Sequence, residues 1–210
     1  MKPHEIEQKS MEIITKELGE RTFQEPEFSV IKRCIHTSAD FDYADNLKFS
    51  TDSVRKGIEA IKRGASIVTD TNMAFSGVNK TVLRSFGGDA YCFMAQEDVA
   101  VEAKERGVTR SIVCMERAAD LKGEVIIAIG NAPTALIRIC ELIKEGNIKP
   151  ALVIGAPVGF VNVIESKEML EEMKEVPYII AGGRKGGSNI AAAICNAMLY
   201  EAKKEVSQNG

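Results

Sequence analysis

Arg33 and His36 are the pair of side chains in this sequence best suited to acid–base chemistry. Residues three apart in a helix project to the same side, so the guanidinium would lie beside the imidazole. Histidine has an ordinary pKa of about 6.5, near neutral pH, which suits a general acid or base. Asp40 and Asp42 follow and could tune the protonation of this histidine in either direction. His36 is equally compatible with a core or capping role.

A glycine-rich segment, residues 182–188, is the second feature that could take part in binding or catalysis. It contains four glycines with Arg184 and Lys185, and it ends at Ser188, a suitable N-cap for the helical pattern that follows. Free backbone N–H groups and positive charge at a helix N-terminus attract an anion such as a carboxylate or a phosphate. The same glycines also suit a plain tight turn between a strand and a helix.

The sequence lacks the residues that several common kinds of active site require. The chain contains neither Gly-x-Gly-x-x-Gly nor a P-loop motif, so dinucleotide and P-loop binding are disfavoured. It has no Gly-x-Ser-x-Gly segment for a nucleophilic serine. His4 and His36 are its two histidines, with no neighbouring ligand cluster for a metal. A cofactor-free reaction that needs one proton donor fits what remains.

The composition is that of a soluble globular protein. Of its 210 residues, 45% are hydrophobic and 27% are charged, and the formal net charge of −3 disfavours nucleic acid as a partner. No apolar run approaches the roughly 20 residues of a membrane span, and the N-terminus lacks the pattern of a signal peptide. We therefore expect a cytoplasmic protein without a membrane anchor. The five cysteines, without a Cys-x-x-Cys pair, predict reduced core thiols.

Five short apolar runs predict the strands of a parallel sheet. Their hydrophobic residues are continuous, as in strands covered on both faces, and helical patterns lie between them. Such sheets bind ligands outside the carboxyl ends of the strands. The predicted strands are Ser66–Thr71, Tyr91–Met94, Glu124–Ile129, Ala151–Gly155 and Pro177–Ala181.

About 60 residues before the first predicted strand have an all-helical pattern, beginning with Pro3–Leu18 and Glu27–Ser38. On the first helix, apolar side chains form one stripe beside the hydroxyl of Ser10. We predict one α/β domain over residues 1–210, with N-terminal helices at about 3–63 and a sheet core at about 66–205. The residues of the stripe are Ile6, Ile13, Ile14 and Leu18.

Several short segments, spread over nearly the whole chain, match the motifs of a known protein family in the same order. They are Ser10, Arg33-Cys34-Ile35-His36, Asp70 with Met73 and Gly77-Val78, Thr109-Arg110-Ser111, Ile129-Gly130-Asn131-Ala132-Pro133-Thr134-Ala135-Leu136, Pro157-Val158-Gly159-Phe160-Val161, Glu165-Ser166-Lys167, and Gly183-Arg184 with Gly186-Gly187-Ser188. Taken together, the chain resembles the precorrin-8X methylmutase family of cobalamin (vitamin B12) biosynthesis, including its cobalt-precorrin-8 branch.

The resemblance implies a Rossmann-like, mostly parallel sheet with helices on both faces, assembled as a homodimer with active sites near the subunit interface. It implies an isomerase that shifts a methyl group between adjacent ring C carbons of a tetrapyrrole. Precorrin-8X would give hydrogenobyrinic acid, or the cobalt complex cobyrinic acid. No cofactor is implied, and any cobalt would arrive with the substrate. His36 matches the family's catalytic histidine, whose proposed role is to protonate the macrocycle near ring C.

The resemblance also places Ser10, Arg33, Arg110 and Ser111 in the substrate site. We add Arg184 and Ser188 from their position and, for Arg184, its charge, because the substrate is edged with carboxylates. These arginines would also be compatible with plain surface ion pairs. The departures from the family pattern, at Ala156, Asn162 and residues 112–114, change the size of the walls and bear only on substrate preference.

Two other functions are compatible with the sequence pattern. A non-catalytic carrier that hands a corrinoid intermediate to the next enzyme would use the same slot and cationic rim, but it would not require His36. A nucleotide-binding regulatory protein would need a phosphate loop, which the sequence lacks.

Overall fold

Short buried strands form the centre of the molecule, which we describe from a computed structural model covering residues 3–209. The strands make one sheet in the order β1-β6-β5-β4-β2-β3. All neighbours pair in parallel except β1 and β6, which are antiparallel. The strands are β1 (Leu47–Phe49), β2 (Ser66–Thr69), β3 (Ala90–Tyr91), β4 (Val125–Ile129), β5 (Leu152–Gly155) and β6 (Tyr178–Ala181).

Helices cover both faces of this sheet, as predicted. Within residues 3–209 they are α1 (Pro3–Leu18), α2 (Glu27–Ser38), α3 (Tyr43–Asn46), α4 (Ser53–Lys62), α5 (Asn72–Gly77), α6 (Lys80–Ser85), α7 (Glu97–Arg106), α8 (Arg110–Ala119), α9 (Pro133–Lys144), α10 (Val163–Glu171) and α11 (Ser188–Asn209). None of them combines the length and apolar character needed to cross a membrane.

The two hydrophobic cores follow from the period of a strand. Successive side chains of a strand point to opposite faces, so Ile126 and Ala128 of β4 pack in one core while Ile127 and Ile129 pack in the other. The first core lies against α2, α4 and α11, and the second lies against α8, α9 and α10. This double coverage explains why the strand sequences are continuously apolar.

The N-terminal segment is not all-helical, which corrects the sequence prediction. Leu47–Phe49 is an edge strand that pairs antiparallel with β6. Three residues are too few to show a strand period, and only the pairing with β6 defines the element. The single-domain division stays a prediction.

Only half of the apolar stripe predicted on α1 is buried. Ile14 and Leu18 are buried, but Ile6 and Ile13 are 52% and 48% exposed. The helix contacts the protein through a narrow face against α2, so only part of its apolar surface is covered. Among the described residues all five cysteines are free, four of them buried, as expected for core thiols.

Candidate active site

Asp70 occupies the position where the strand order reverses. The chain leaves β2 towards β3 on one side and continues from β4 to β5 on the other, so the crevice lies between β2 and β4. The buried Asp70 carboxylate follows β2 and accepts the N–H groups of Gly130, Asn131 and Ala132 at 2.8, 2.9 and 2.7 Å. Burial raises the pKa of this carboxyl, and the three N–H donors oppose that rise.

The start of α11 is joined to the same edge of the sheet. The Ser188 hydroxyl lies 2.7 Å from the Thr71 hydroxyl, just after Asp70. Gly130 must be a glycine here, because a Cβ would come within 2.6 Å of the Ser188 Cα. Ser188 is the first residue of α11 and not the predicted N-cap, because the Gly187 carbonyl accepts the first helical hydrogen bond, from the Ala191 N–H at 3.0 Å.

The glycine-rich loop between β6 and α11 packs closely on the loop after β5. The Gly187 N–H donates to the Ala156 carbonyl at 2.9 Å, and a Cβ on Gly186 would lie 2.2 Å from the same oxygen. A larger residue at 186 would therefore push the two loops apart. The Arg184 side chain is exposed and lies over the Phe160 ring, 5.5 Å from its centroid.

His36 and Arg33 line one pocket, as their spacing on α2 predicts. The cavity, of about 260 Å³, lies between α2, α5 and α11. Its floor and rim are formed by Met73, Gly77 and Asn189 together with neighbouring residues of α11. His36 is exposed and lies in the last turn of α2.

The Arg33 guanidinium already has two protein partners. Its Nη2 donates to Glu7 Oε1 at 2.6 Å, and its Cζ lies 4.5 Å from the centre of the Tyr200 ring. Both contacts fix the guanidinium on the wall of the pocket beside His36. A substrate carboxylate would therefore have to share Arg33 with Glu7.

Lys185 is already paired with two carboxylates, whereas the sequence had suggested a free cation. Its Nζ lies 2.6 Å from carboxylate oxygens of both Asp40 and Asp42. These carboxylates raise the pKa of Lys185 to about 12. The ion pairs connect the glycine-rich loop to the segment that follows α2.

Ser111 lies in a separate hydroxyl cluster at the N-termini of α8 and α9. The Ser111 Oγ is 2.8 Å from the Thr109 hydroxyl and 2.7 Å from the Thr134 hydroxyl, and the residue is only 4% exposed. Arg110 beside it is exposed. This cluster borders the loop after β4, which Asp70 holds, and so belongs to the same edge of the sheet.

Ser10 does not join the pocket that His36 lines. Its hydroxyl donates to the Ile6 carbonyl of α1 at 2.9 Å, and it is absent from the pocket wall. The side chain of His4, the other histidine considered above, lies outside the described part of the chain. The described residues contain no group of three or more His, Cys, Asp or Glu side chains that could hold a metal ion.

Comparison with known proteins decides the family. A family model described as precorrin-8X methylmutase matches residues 5–201. The chain belongs to the precorrin-8X methylmutase family. It is thus a methylmutase, an isomerase of cobalamin biosynthesis, and its substrate is a tetrapyrrole.

Relatives of this methylmutase match over most of their length. The cobalt-precorrin-8 methylmutase of Leptospira interrogans is 45% identical over 206 residues, covering 95% of this chain and 94% of the relative. The precorrin-8X methylmutase of Pseudomonas aeruginosa is 43% identical over 171 residues, covering 80% and 81%. The crystal structure of the Thermus thermophilus precorrin-8X methylmutase superposes with a TM-score of 0.87 at 38% identity, covering 95% of this chain and 98% of that one.

Two buried charged residues beside the candidate site, Asp70 and Lys167, were not predicted as site residues. Asp70 directly follows an apolar strand, a position that could have identified it. Lys167 lies in α10 and is 3% exposed, with no sequence signal beyond its place in a family segment. Tertiary contacts bring both side chains to the loops that surround the crevice.

Proposed function

We propose that this methylmutase shifts a methyl group between adjacent ring C carbons of cobalt-precorrin-8, giving cobyrinic acid. The cobalt form is favoured because relatives such as those from Leptospira interrogans and Methanocaldococcus jannaschii, 45% and 41% identical, are named cobalt-precorrin-8 methylmutases. Metal-free precorrin-8X, giving hydrogenobyrinic acid, is the alternative. Any cobalt arrives bound in the substrate, and the reaction uses no further cofactor.

The observation that carries this proposal is the shared pocket of His36 and Arg33. Its volume of about 260 Å³ is smaller than the usual 300–1,000 Å³ of a ligand site. A whole macrocycle would not enter it, so we infer that only one edge, ring C, is presented to His36. The rest of the flat ring would then lie outside, across the carboxyl edge of the sheet.

His36 acts in this proposal as a general acid and then as a base. The protonated imidazole donates its proton to the macrocycle near ring C, which makes the adjacent carbon electron-poor. The methyl group migrates to that carbon with its bonding electron pair. Substrate and product are isomers, so the proton returns to His36 as the conjugated product forms. A positioned acid of this kind typically contributes about 10² to 10⁴ in rate.

The carboxylates of the substrate require cations and N–H or O–H donors around this pocket. The exposed guanidinium groups of Arg110 and Arg184 are the best placed to supply charge. The hydroxyls of Ser10, Ser111 and Ser188 and the Arg33 guanidinium have protein partners and would exchange or share them on binding.

We further propose a cytoplasmic homodimer with the active sites near the subunit interface, as the family implies. Exposed apolar side chains beside the site support this: Phe160 and Val161 are 82% and 77% exposed. Light scattering should give a mass of twice 22.9 kDa. A monomer that is fully active would refute the shared interface. Hand-off of the product to the next enzyme is compatible with so open a site.

The decisive experiment is an absorbance time course with cobalt-precorrin-8 and, separately, with precorrin-8X. Wild type, His36→Ala and the matched control Thr37→Ala, which changes another residue of the same pocket, are compared. We expect the corrin spectrum to appear with wild type and the control, with at least about 10²-fold slower turnover for His36→Ala. Undiminished turnover by His36→Ala would exclude the proposed acid. Tight binding without conversion by wild type would favour the carrier.

A further inference from the structure

Lys167 lies under the glycine-rich loop in an unusual arrangement for a lysine. Its side chain is 3% exposed, and its Nζ donates to the carbonyl oxygens of Gly183 and Lys185 at 2.8 and 2.7 Å. Burial lowers the pKa of this amine to about 8. Carbonyls are its partners in both contacts, so its ammonium charge is not balanced by a carboxylate there.

The two carbonyls that Lys167 binds flank Arg184. The carbonyl of Arg184 itself accepts a longer contact from the Gly159 N–H, with N and O 3.4 Å apart. Three successive carbonyl oxygens of the loop thus face donors inside the protein. Their partial negative charges are compensated there, and the solvent side of the loop presents the Arg184 guanidinium.

A buried cation is a costly way to stabilise a loop. Burying a charged group costs free energy unless an opposite charge pairs with it, and the two partners of Lys167 are neutral carbonyls. The presence of a lysine at position 167 is therefore better explained by a role in placing the loop and its Arg184 charge than by a contribution to stability alone. Arg184 is the residue whose position depends most directly on these two hydrogen bonds.

We propose that Lys167 is a positioning residue for substrate binding. It holds the carbonyls of Gly183 and Lys185 and so sets Arg184 where a carboxylate at the edge of the tetrapyrrole can reach it. This inference rests on the proposed function, because it requires an anionic substrate on the solvent side of the loop. It assigns Lys167 no contact with the reacting carbons.

The test compares Lys167→Met with Lys174→Met, which removes an exposed lysine seven residues further along the chain. Steady-state turnover should show KM raised about tenfold by Lys167→Met, the loss of one charge-assisted contact, with kcat within about threefold of wild type. In an Arg184→Ala background, the same change should raise KM less than about twofold, because Arg184 is the residue through which Lys167 acts. Unchanged KM, or an equal rise in both backgrounds, would overturn the proposal.

Hydrogen exchange followed by mass spectrometry separates loop positioning from general loss of structure. Lys167→Met should speed exchange in residues 182–188 and leave β4 and β5 unchanged, whereas Lys174→Met should change neither. Uniformly faster exchange, or no change in the loop, would contradict the proposal. If Lys167→Met does not fold, Lys167→Gln, which keeps an N–H donor without the charge, undergoes both measurements with the same expected direction.

The two hypotheses can fail separately. Wild-type protein that does not convert either tetrapyrrole refutes the proposed function. The exchange measurement needs no substrate and still decides whether Lys167 holds the loop. Wild-type turnover together with a normal KM for Lys167→Met refutes the positioning role alone.

Discussion

The Nζ atom of Lys185 lies 2.6 Å from Oδ2 of Asp40, and this ion pair ties the glycine-rich loop to the helix that carries His36. Asp40 follows that helix by two residues and His36 by four. The same Nζ contacts Asp42 at 2.6 Å. The segment that follows the helix of the proposed acid is therefore in direct contact with the proposed anion-binding loop.

Asp40→Asn should weaken this connection and slow turnover by about threefold, because misplacement of a catalytic group lowers the rate without loss of folding. The hydrogen bond from Lys185 lowers the pKa of Asp40 below its ordinary 3.8. The stabilisation from this pair is thus present above about pH 4 and is lost as the pH falls through the lowered pKa. Turnover rates and acid unfolding of wild type and Asp40→Asn check both statements. Asp45→Asn, which removes an exposed carboxylate elsewhere, is the control.

Arg110→Ala should weaken substrate binding by about tenfold, the cost of one charge-assisted contact. Stability should change by less than about 0.5 kcal/mol, since the side chain is exposed. Titration of the tetrapyrrole by absorbance gives the affinity, and Lys122→Ala, also exposed, controls for loss of one positive charge. Equal affinity in the Arg110 variant and wild type would remove this residue from the site.

Asp70→Asn should destabilise the fold by about 1–3 kcal/mol. The amide keeps one acceptor oxygen, but its NH₂ group would face backbone N–H donors that the second carboxylate oxygen now satisfies. Urea unfolding gives the change, with the exposed Asp120→Asn as the matched control. A variant as stable as wild type would show that the carboxylate does not hold the loop after β4.

The stability of wild type relative to Lys167→Met should rise with pH between about 8 and 10.5. Lys167 has a pKa of about 8 in the folded state against its ordinary 10.5. In that window the unfolded chain binds more protons than the folded protein, so deprotonation favours folding. The measurement is the urea midpoint of both proteins at pH 7, 9 and 11. The difference between wild type and Lys167→Met at each pH isolates the contribution of this residue from that of other groups. A difference that is constant with pH would contradict the lowered pKa.

Local patterns in the sequence were enough to locate most of the elements and part of the site. Continuous apolar runs located β2, β4, β5 and β6, and α1 and α2 have the bounds that were predicted. The predicted strand Tyr91–Met94 overlaps β3 (Ala90–Tyr91) only at Tyr91. The spacing of Arg33 and His36 placed both on one side of α2, and they do share a pocket. Helical and strand periods are local properties, and a few neighbouring residues suffice to reveal them.

By itself, then, the sequence determined the family, the layered sheet and the helix that carries His36. The tertiary structure decided the rest: β1 as an antiparallel edge strand, Lys185 bound to Asp40, and Lys167 bound beneath Arg184. Each of these contacts joins residues that are far apart along the chain or that have no periodic pattern. Whether a charge is free to bind or already paired depends on which side chains folding brings within hydrogen-bond distance, and no local pattern contains that information.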